Sequence, residues 1–404
     1  DWDNLVNRFE DYIAENFTSV KPINKLRSKI SQECKENALR DEGIYRMFVP
    51  TGGGKTFAAM RFALHHSKKH KKDRIFYIAP FNSILEQNAW EYREAFGELS
   101  EKYLLEHHSN VVIEDFGEEN TIDYDVKAKF KYLTEKWTSP IILTSMVQLL
   151  NSFFSGNKKA IRRLHRLKNS VIIIDELQAV PLKCITIFNL FLNTLSKYFN
   201  VTFVLCTATQ PPYERILGDE NASKKTAAIN YAKEKELVRN YENMDEFKRV
   251  QILNKTKLRP YDLEDMTDLI EEEAIDTNNI LMIGNTRSIV DKLFLELKNN
   301  QRLSEFKIMM LSNDMCPSHR LEIIKSIKEN LEREKIILLS TPLIEAGVNL
   351  SFEKVIRSLT GLDSIAQAAG RCNRHKEKDL GDVILINIDP KLENVSMLEE
   401  IKIG

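Results

Sequence analysis

The segment Val49-Pro-Thr-Gly-Gly-Gly-Lys-Thr56 constrains the fold of this 404-residue chain more than any other. It sits between a short apolar run at 45–49 and a helical pattern at 57–66. Glycines in such a turn let the backbone wrap closely, with N–H groups turned inward, and the helix that follows adds a partial positive charge. The result is a cradle for phosphate oxygens, here Thr51, Gly52, Gly53 and Gly54. Lys55 would reach the outer phosphates, and the Thr56 hydroxyl would ligate Mg²⁺. The strict spacing G-x-x-x-x-G-K-[ST] asks for glycine where this chain has Val49. The plain alternative is a glycine-rich strand–helix turn with no ligand.

Short β-branched runs alternate with helical patterns along most of the chain, which predicts repeated βαβ units around parallel sheets. Strands are expected at 45–49, 74–78, 141–144, 171–174 and 201–206, then at 280–283, 307–311, 336–339, 355–357 and 383–386. The stretch before Tyr45 is helix-like, and 218–248 is polar and charged. We expect an α/β chain of two tandem domains: 1–215 with a helical lead-in and the phosphate cradle, a connector at 216–248, and 249–404. An apolar share of 43% with 29% charged residues excludes a collagen-like or disordered chain. No apolar run is long enough to span a membrane. Five cysteines lie far apart with no CxxC pair, which fits a reducing, cytoplasmic setting and excludes a disulfide framework. With 58 basic against 59 acidic side chains, any nucleic-acid path must come from local clustering. The chain opens at Asp1 without a signal-peptide pattern and reads as a trimmed fragment or a separate subunit.

A partner for the cradle lies in Val171-Ile-Ile-Ile-Asp-Glu-Leu-Gln178, a buried strand running into Asp175 and Glu176. Paired carboxylates at the carboxyl end of a parallel strand sit where open α/β sheets bind ligands. Asp175 can hold Mg²⁺, and Glu176 can act as general base toward a water. Further islands follow strands: Ala79-Pro80-Phe81-Asn82, Thr207-Ala208-Thr209, Ser340-Thr341-Pro-Leu-Ile-Glu345-Ala-Gly347-Val-Asn349, and Gln367-Ala-Ala-Gly-Arg371-Cys-Asn-Arg374. We expect Arg371 and Arg374, three apart, to share one helix face as a paired clamp on phosphate charge.

The order GGGKT, APFN, DELQ, TAT, EAGVN and QxxGRxxR resembles that of superfamily 2 helicases. Details are similar to the CRISPR-associated helicase-nuclease of type I interference: Arg61-Phe-Ala-Leu64 after the cradle, Glu106-His-His-Ser109, Thr207-Ala-Thr-Gln-Pro211 and Gly370-Arg-Cys-Asn-Arg374. The resemblance implies two RecA-like domains with ATP and Mg²⁺ as cofactors, and hydrolysis driving 3′-to-5′ movement on single-stranded DNA. It implies Gln367, Arg371 and Arg374 at the γ-phosphate, Glu345, Gly347 and Asn349 lining the nucleotide cleft, and Thr207 and Thr209 coupling hydrolysis to motion. Gln178 stands where many relatives carry His, Asn349 where many carry Asp, and Ala368 where many carry Arg. The adenine-reading glutamine has no evident counterpart; Arg27 occupies its approximate place and reads as a surface-helix residue.

Nucleic-acid contacts are expected at strand-end loops, from Pro80, Asn82, Thr144, Gln148, Thr286, Arg287 and Thr341, with the basic runs at 68–74 and 158–168 as solvated faces. The implied partners are a guide-RNA surveillance complex and a metal-dependent nuclease, fused or separate. None of the eight histidines is followed by Asp, so that nuclease's His-Asp pair is absent from this sequence. An RNA-remodelling helicase and an ATP-gated clamp that does not translocate are the alternatives.

Overall fold

The structure is a computed structural model that describes residues 2–17, 22–108, 133–134, 136–154, 158–180, 184–207, 235–238, 247–312, 314–331, 333–345, 347–374, 376 and 378–394. The chain divides into two compact units, Asp1–Met244 and Asp245–Gly404. Each is built on a six-stranded sheet whose ladders are all parallel.

In the first unit the strands are β1 (Ile44–Phe48), β2 (Arg74–Ala79), β3 (Leu104–His107), β4 (Ile141–Ser145), β5 (Ser170–Ile174) and β6 (Thr202–Thr207), ordered β1-β6-β5-β2-β4-β3. Val171–Ile174 have no solvent exposure, as a strand covered on both faces requires, which is why they read as an unbroken apolar run. The register sets Phe48 beside Thr207, Ile174 beside Leu205, Ile78 beside Ile174 and Ala79 beside Ser145. The carboxyl ends of β1, β6, β5, β2 and β4 therefore meet along one edge. The second sheet contains β7 (Val250–Asn254), β8 (Asn279–Ile283), β9 (Lys307–Leu311), β10 (Ile336–Ser340), β11 (Lys354–Ser358) and β12 (Gly381–Ile386), ordered β7-β12-β11-β8-β10-β9. All ten expected strands are present, within a residue or two at their ends. The two that were not expected, β3 and β7, each border only one other strand. β3 is four residues long and carries Glu106 and His107, while most of β7 faces solvent. Neither therefore has the apolar run of an interior strand.

The residues before β1 form two helices, Trp2–Asn16 and Pro22–Asn37, that pack on the helix Lys55–His70 leaving the glycine turn. A charged cluster pins them. The Glu10 carboxylate accepts from Arg61 Nε at 2.7 Å and Nη2 at 2.5 Å and from Lys35 Nζ at 2.8 Å, and contacts His65 Nε2 at 2.8 Å. Arg61 is only 8% exposed, so its charge depends on this partner. Burial works to raise the Glu10 pKa, but the bonds from Arg61, His65 and Lys35 outweigh it and hold the carboxyl well below its usual 4.5.

A carboxylate depressed in the folded state contributes stability above its unfolded value and loses it progressively as pH falls from that value toward the folded one. Glu10→Gln should cost about 2–3 kcal/mol at neutral pH, toward the lower end of what an unpaired buried charge costs. Urea midpoints measured from pH 7 down to pH 3 should fall below about pH 4.5 in the parent chain, and less steeply in the variant. Parallel curves would remove the cluster from the account of stability.

Candidate active site

The glycine turn joins β1 to its helix with two residues in the left-handed region, Gly52 at φ 78° and Gly54 at φ 82°. A Cβ at Gly54 would stand 3.5 Å from Arg27 Cγ, an ordinary contact, so it is the dihedral that requires glycine there. Val49 is not among the residues at positive φ. It is fully buried, and its N–H donates to Thr207 O at 3.3 Å. The residue departing from the strict spacing thus continues the ladder between β1 and β6, where a side chain is tolerated. Arg27 is not a free surface residue: its Nε donates to Gly52 O at 2.7 Å and its Nη1 to Asn24 Oδ1 at 2.8 Å, so it braces the turn from outside.

Thr51, Gly52, Gly53, Gly54, Lys55, Thr56, Asp175, Glu176 and Thr207 come together at the carboxyl edge of the first sheet. Lys55 Nζ is buried without a hydrogen-bond partner among the described residues, and Glu176 Oε1 lies 4.0 Å away. An ammonium kept from water with only a carboxylate at 4.0 Å facing it suits an anion as its partner. The Asp175 carboxylate accepts from the Tyr77 hydroxyl and, at 3.0 Å, from the Glu176 N–H. Tyr77 is itself held by Asn88 Nδ2 at 2.7 Å. Burial, and then the neighbouring Glu176, push the Asp175 pKa up to about 6, against the opposing pull of Lys55 and Tyr77. Thr56 and Asp175 supply the hard oxygens that Mg²⁺ takes alongside phosphates and water, so the residues present fit that ion. Glu176 adopts φ 49°, and its carboxylate accepts from Gln178 Nε2. Gln178 Oε1 in turn accepts from Thr207 Oγ1 at 2.8 Å, a relay from the candidate base to the end of β6. Thr209 lies outside the described residues.

In the second unit the expected arginine clamp takes another form. The helix Leu362–Ala369 carries Gln367 but ends before Arg371. Phe352 N donates to Arg371 O, Asn373 N donates back to Phe352 O, and Asn373 turns at φ 45°. Arg371 and Arg374 therefore lie in a turn, not on a shared helix face. The buried Arg371 donates from Nε to Ile344 O at 2.8 Å and from Nη2 to Glu345 O. Arg374 is half-buried, with its N–H on Ser351 Oγ at 3.0 Å. Gly347 turns at φ 74°, and Asn349 is exposed beside a cavity of about 680 Å³ that Lys328, Arg333 and Ser351 also line.

The nucleic-acid candidates divide. Thr144 is fully buried and donates to His107 O at 2.6 Å, which leaves no atom for a strand to touch. Gln148 accepts from Arg163 at 3.2 Å, and that guanidinium lies over the Trp137 ring. Pro80 and Asn82 stand at the end of β2, where Asn82 opens the helix Asn82–Phe96. Arg287 is ion-paired with Asp291 and Asp314. Thr286 and Thr341 follow the adjacent strands β8 and β10, and each has a buried hydroxyl without a partner among the described residues. Sequence reasoning missed Tyr77 and Asn88, which sit inside a strand and a helix, and gave Gln178 no bridging role.

Tyr77→Phe removes a donor from the Asp175 carboxylate and favours its protonated form, and Mg²⁺ must displace that proton. We expect the Mg²⁺ concentration for half-maximal ATPase to rise by about tenfold, as for other losses of a ligand's hydrogen-bond partner. The rise should be larger near pH 6.5 than at pH 8, since a group titrating near 6 is closer to protonation there. An unchanged Mg²⁺ dependence at both pH values would exclude the role given to Tyr77.

Residues 276–377 match the family described as CRISPR-associated nuclease/helicase Cas3, C-terminal, and residues 13–211 match that described as type III restriction enzyme, res subunit. The CRISPR-associated nuclease/helicase Cas3 of Haloferax volcanii is 25% identical over 441 residues, covering 87% of this chain and 47% of that protein. The chain thus spans about half the length of that relative. The structure of T. fusca Cas3-ADP superimposes with a TM-score of 0.70 at 16% identity, over 94% of this chain and 48% of that one. A chain of a CRISPR RNA-guided surveillance complex, pre-nicking, gives a TM-score of 0.60 at 16% identity, over 91% of this chain and 45% of that one. The two sheets have the fold of tandem RecA-like domains, and the chain is similar over most of its own length to the nuclease/helicase Cas3.

Proposed function

We propose that the chain is an ATP-driven translocase on single-stranded DNA, moving 3′ to 5′, that unwinds target DNA in type I CRISPR interference. The observation that carries this reading is Lys55, a buried and unbonded ammonium in the glycine turn facing Glu176. Among the similar structures, one is Cas3-ADP and one is a CRISPR RNA-guided surveillance complex, which supports ATP as the nucleotide and such a complex as the recruiting partner. A metal-dependent nuclease, fused or separate, completes the system. The direction of movement rests on the family resemblance alone.

Turn N–H groups and Lys55 bind the β- and γ-phosphates, with Thr56 and Asp175 holding Mg²⁺, which neutralises phosphate charge when bound. Glu176 takes the proton of the attacking water, and its link through Gln178 to Thr207 holds the carboxylate in place. Gln367, Arg371 and Arg374 stabilise charge on the transferred phosphoryl group. Arg371 also secures the Ile344–Glu345 backbone, so it serves structure as well as charge. Thr286 and Thr341 take DNA phosphates as their loops shift to uncover the two buried hydroxyls, a contact that is independent of sequence and sensitive to salt.

Lys55→Ala should abolish ATPase activity. Glu176→Gln should retain ATP binding, stop turnover and hold single-stranded DNA tightly in ATP, since an amide cannot take the water's proton. Near-normal turnover by either variant would end the assignment. A translocase's ATPase rate rises with strand length. A flat dependence would leave only an ATP-gated clamp, and stronger stimulation by RNA would move the substrate to RNA.

The two arginines should separate. Arg374→Ala should lower kcat by about a thousandfold, in the range of other arginine fingers, and is read alongside the melting temperature. Arg371→Ala should lower both, because it also releases the carbonyls of Ile344 and Glu345. If thermal unfolding gives equal melting temperatures, the backbone role of Arg371 is wrong.

A further inference from the structure

Arg357 is fully buried in β11, an interior strand of the second sheet, and lies outside every motif used above. Its guanidinium reaches five residues. Nη1 donates to Asn285 Oδ1 at 2.7 Å, to Ser358 O at 3.0 Å and to Ile283 O at 3.3 Å. Nη2 donates to Ser364 Oγ at 2.9 Å, and Nε stands 2.8 Å from Glu345 Oε1. Ser364 closes the ring by donating to Glu345 Oε2 at 2.5 Å. Glu393, 2% exposed, accepts from Asn285 N at 2.5 Å, from Asn285 Nδ2 at 3.0 Å and from the Ser358 hydroxyl.

These contacts join segments that are distant in sequence. Asn285 immediately precedes Thr286, whose hydroxyl is buried and unpartnered. Glu345 lies four residues past Thr341, whose hydroxyl is in the same condition. Ser364 lies one helical turn before Gln367. The Glu345 backbone carbonyl is held by Arg371. One guanidinium therefore fixes the loop after β8, the loop after β10 and the helix leading to the two arginines. Burying a charged pair is expensive, and an apolar pair of similar volume is often as stable, so stability alone gives weak grounds for placing an arginine here. A planar fan of five donors can hold three segments in fixed angular relation, which an apolar side chain cannot.

We infer that Arg357 is a positioning residue that carries occupancy of the Thr286/Thr341 edge to Arg371 and Gln367, and so makes nucleic acid accelerate hydrolysis. The inference rests on the proposed function. A strand phosphate reaches the two buried hydroxyls only as the loops after β8 and β10 shift, and both loops end on the same guanidinium. Coupling of this kind requires an element with two arrangements that both sites bias, and we assign that part to the ring of Arg357, Glu345 and Ser364. Nucleotide binding belongs to the first unit and is left alone, as is the affinity for DNA, whose contacts precede the ring.

The test uses Ser364→Ala, which deletes one hydroxyl and keeps both charges paired, and Arg357→Lys, which keeps the charge but loses the fan. Four quantities are read on the full chain: melting temperature, basal ATPase rate, the dissociation constant for an oligothymidylate strand, and the ATPase rate when saturated with it. We expect both variants to fold, with basal rate and strand affinity within about twofold of the parent, and the saturated rate reduced about tenfold for Arg357→Lys and several-fold for Ser364→Ala. A saturated rate within twofold of the parent in both variants overturns the inference and leaves Arg357 as scaffold. Loss of strand affinity with an unchanged saturated rate also overturns it, by placing the ring in binding. If Arg357→Lys fails to fold, Ser364→Ala alone decides. The parent arm is separate: a parent chain whose ATPase does not respond to the strand refutes the proposed function, and the inference falls with it.

Discussion

Every ladder in the two sheets is parallel, and the rest of the structure depends on that constraint. Parallel strands need long crossovers, usually helical, and a sheet covered on both faces must be apolar on both. All carboxyl ends then fall on the same edge. The glycine turn after β1, Asp175 after β5 and Thr207 at the end of β6 are brought together by pairing register, although more than 150 residues separate the first from the last. The chemistry sits in short loops while the apolar runs behind them carry the stability.

This division explains what could be read in advance. Interior strands such as Val171–Ile174 are apolar at every position and announce themselves. β3 and β7 border one neighbour each, β3 carrying Glu106 and His107 and β7 largely facing solvent, so their sequences carry no comparable pattern. Residues that act at a strand end, such as Lys55, Asp175 and Glu176, were legible because glycine and acidic residues interrupt an apolar pattern there. Tyr77 and Arg357 were not, because each lies within a strand and its function depends on which strand lies alongside. The expected helix face bearing Arg371 and Arg374 failed for a related reason. The periodicity of the segment is helical, but pairing of Phe352 with Arg371 and Asn373 pulls the chain out of the helix.

Two departures from the family's pattern acquire physical meaning. Gln178 offers both a donor and an acceptor on one amide, and it uses them in opposite directions, toward Glu176 and toward Thr207. Histidine can play both parts only in its neutral state, so glutamine makes the relay independent of protonation. Arg27, standing where an adenine reader was sought, spends its guanidinium on the glycine turn and on Asn24. Its observed bonds thus support the glycine turn.

Val49 bears on the thermodynamics of nucleotide capture. Its N–H on Thr207 extends the ladder by one rung and removes one residue from the part of the turn free to rearrange. Ordering a residue's backbone costs roughly 1–2 kcal/mol of conformational entropy. A turn that begins at Pro50, with its proline dihedral already fixed and Arg27 bonded to Gly52, has met much of that cost on folding. Capture of a triphosphate should then resemble insertion into a preformed socket more than the folding of a loop around a ligand, with a smaller unfavourable entropy of association than a fully flexible glycine loop would incur.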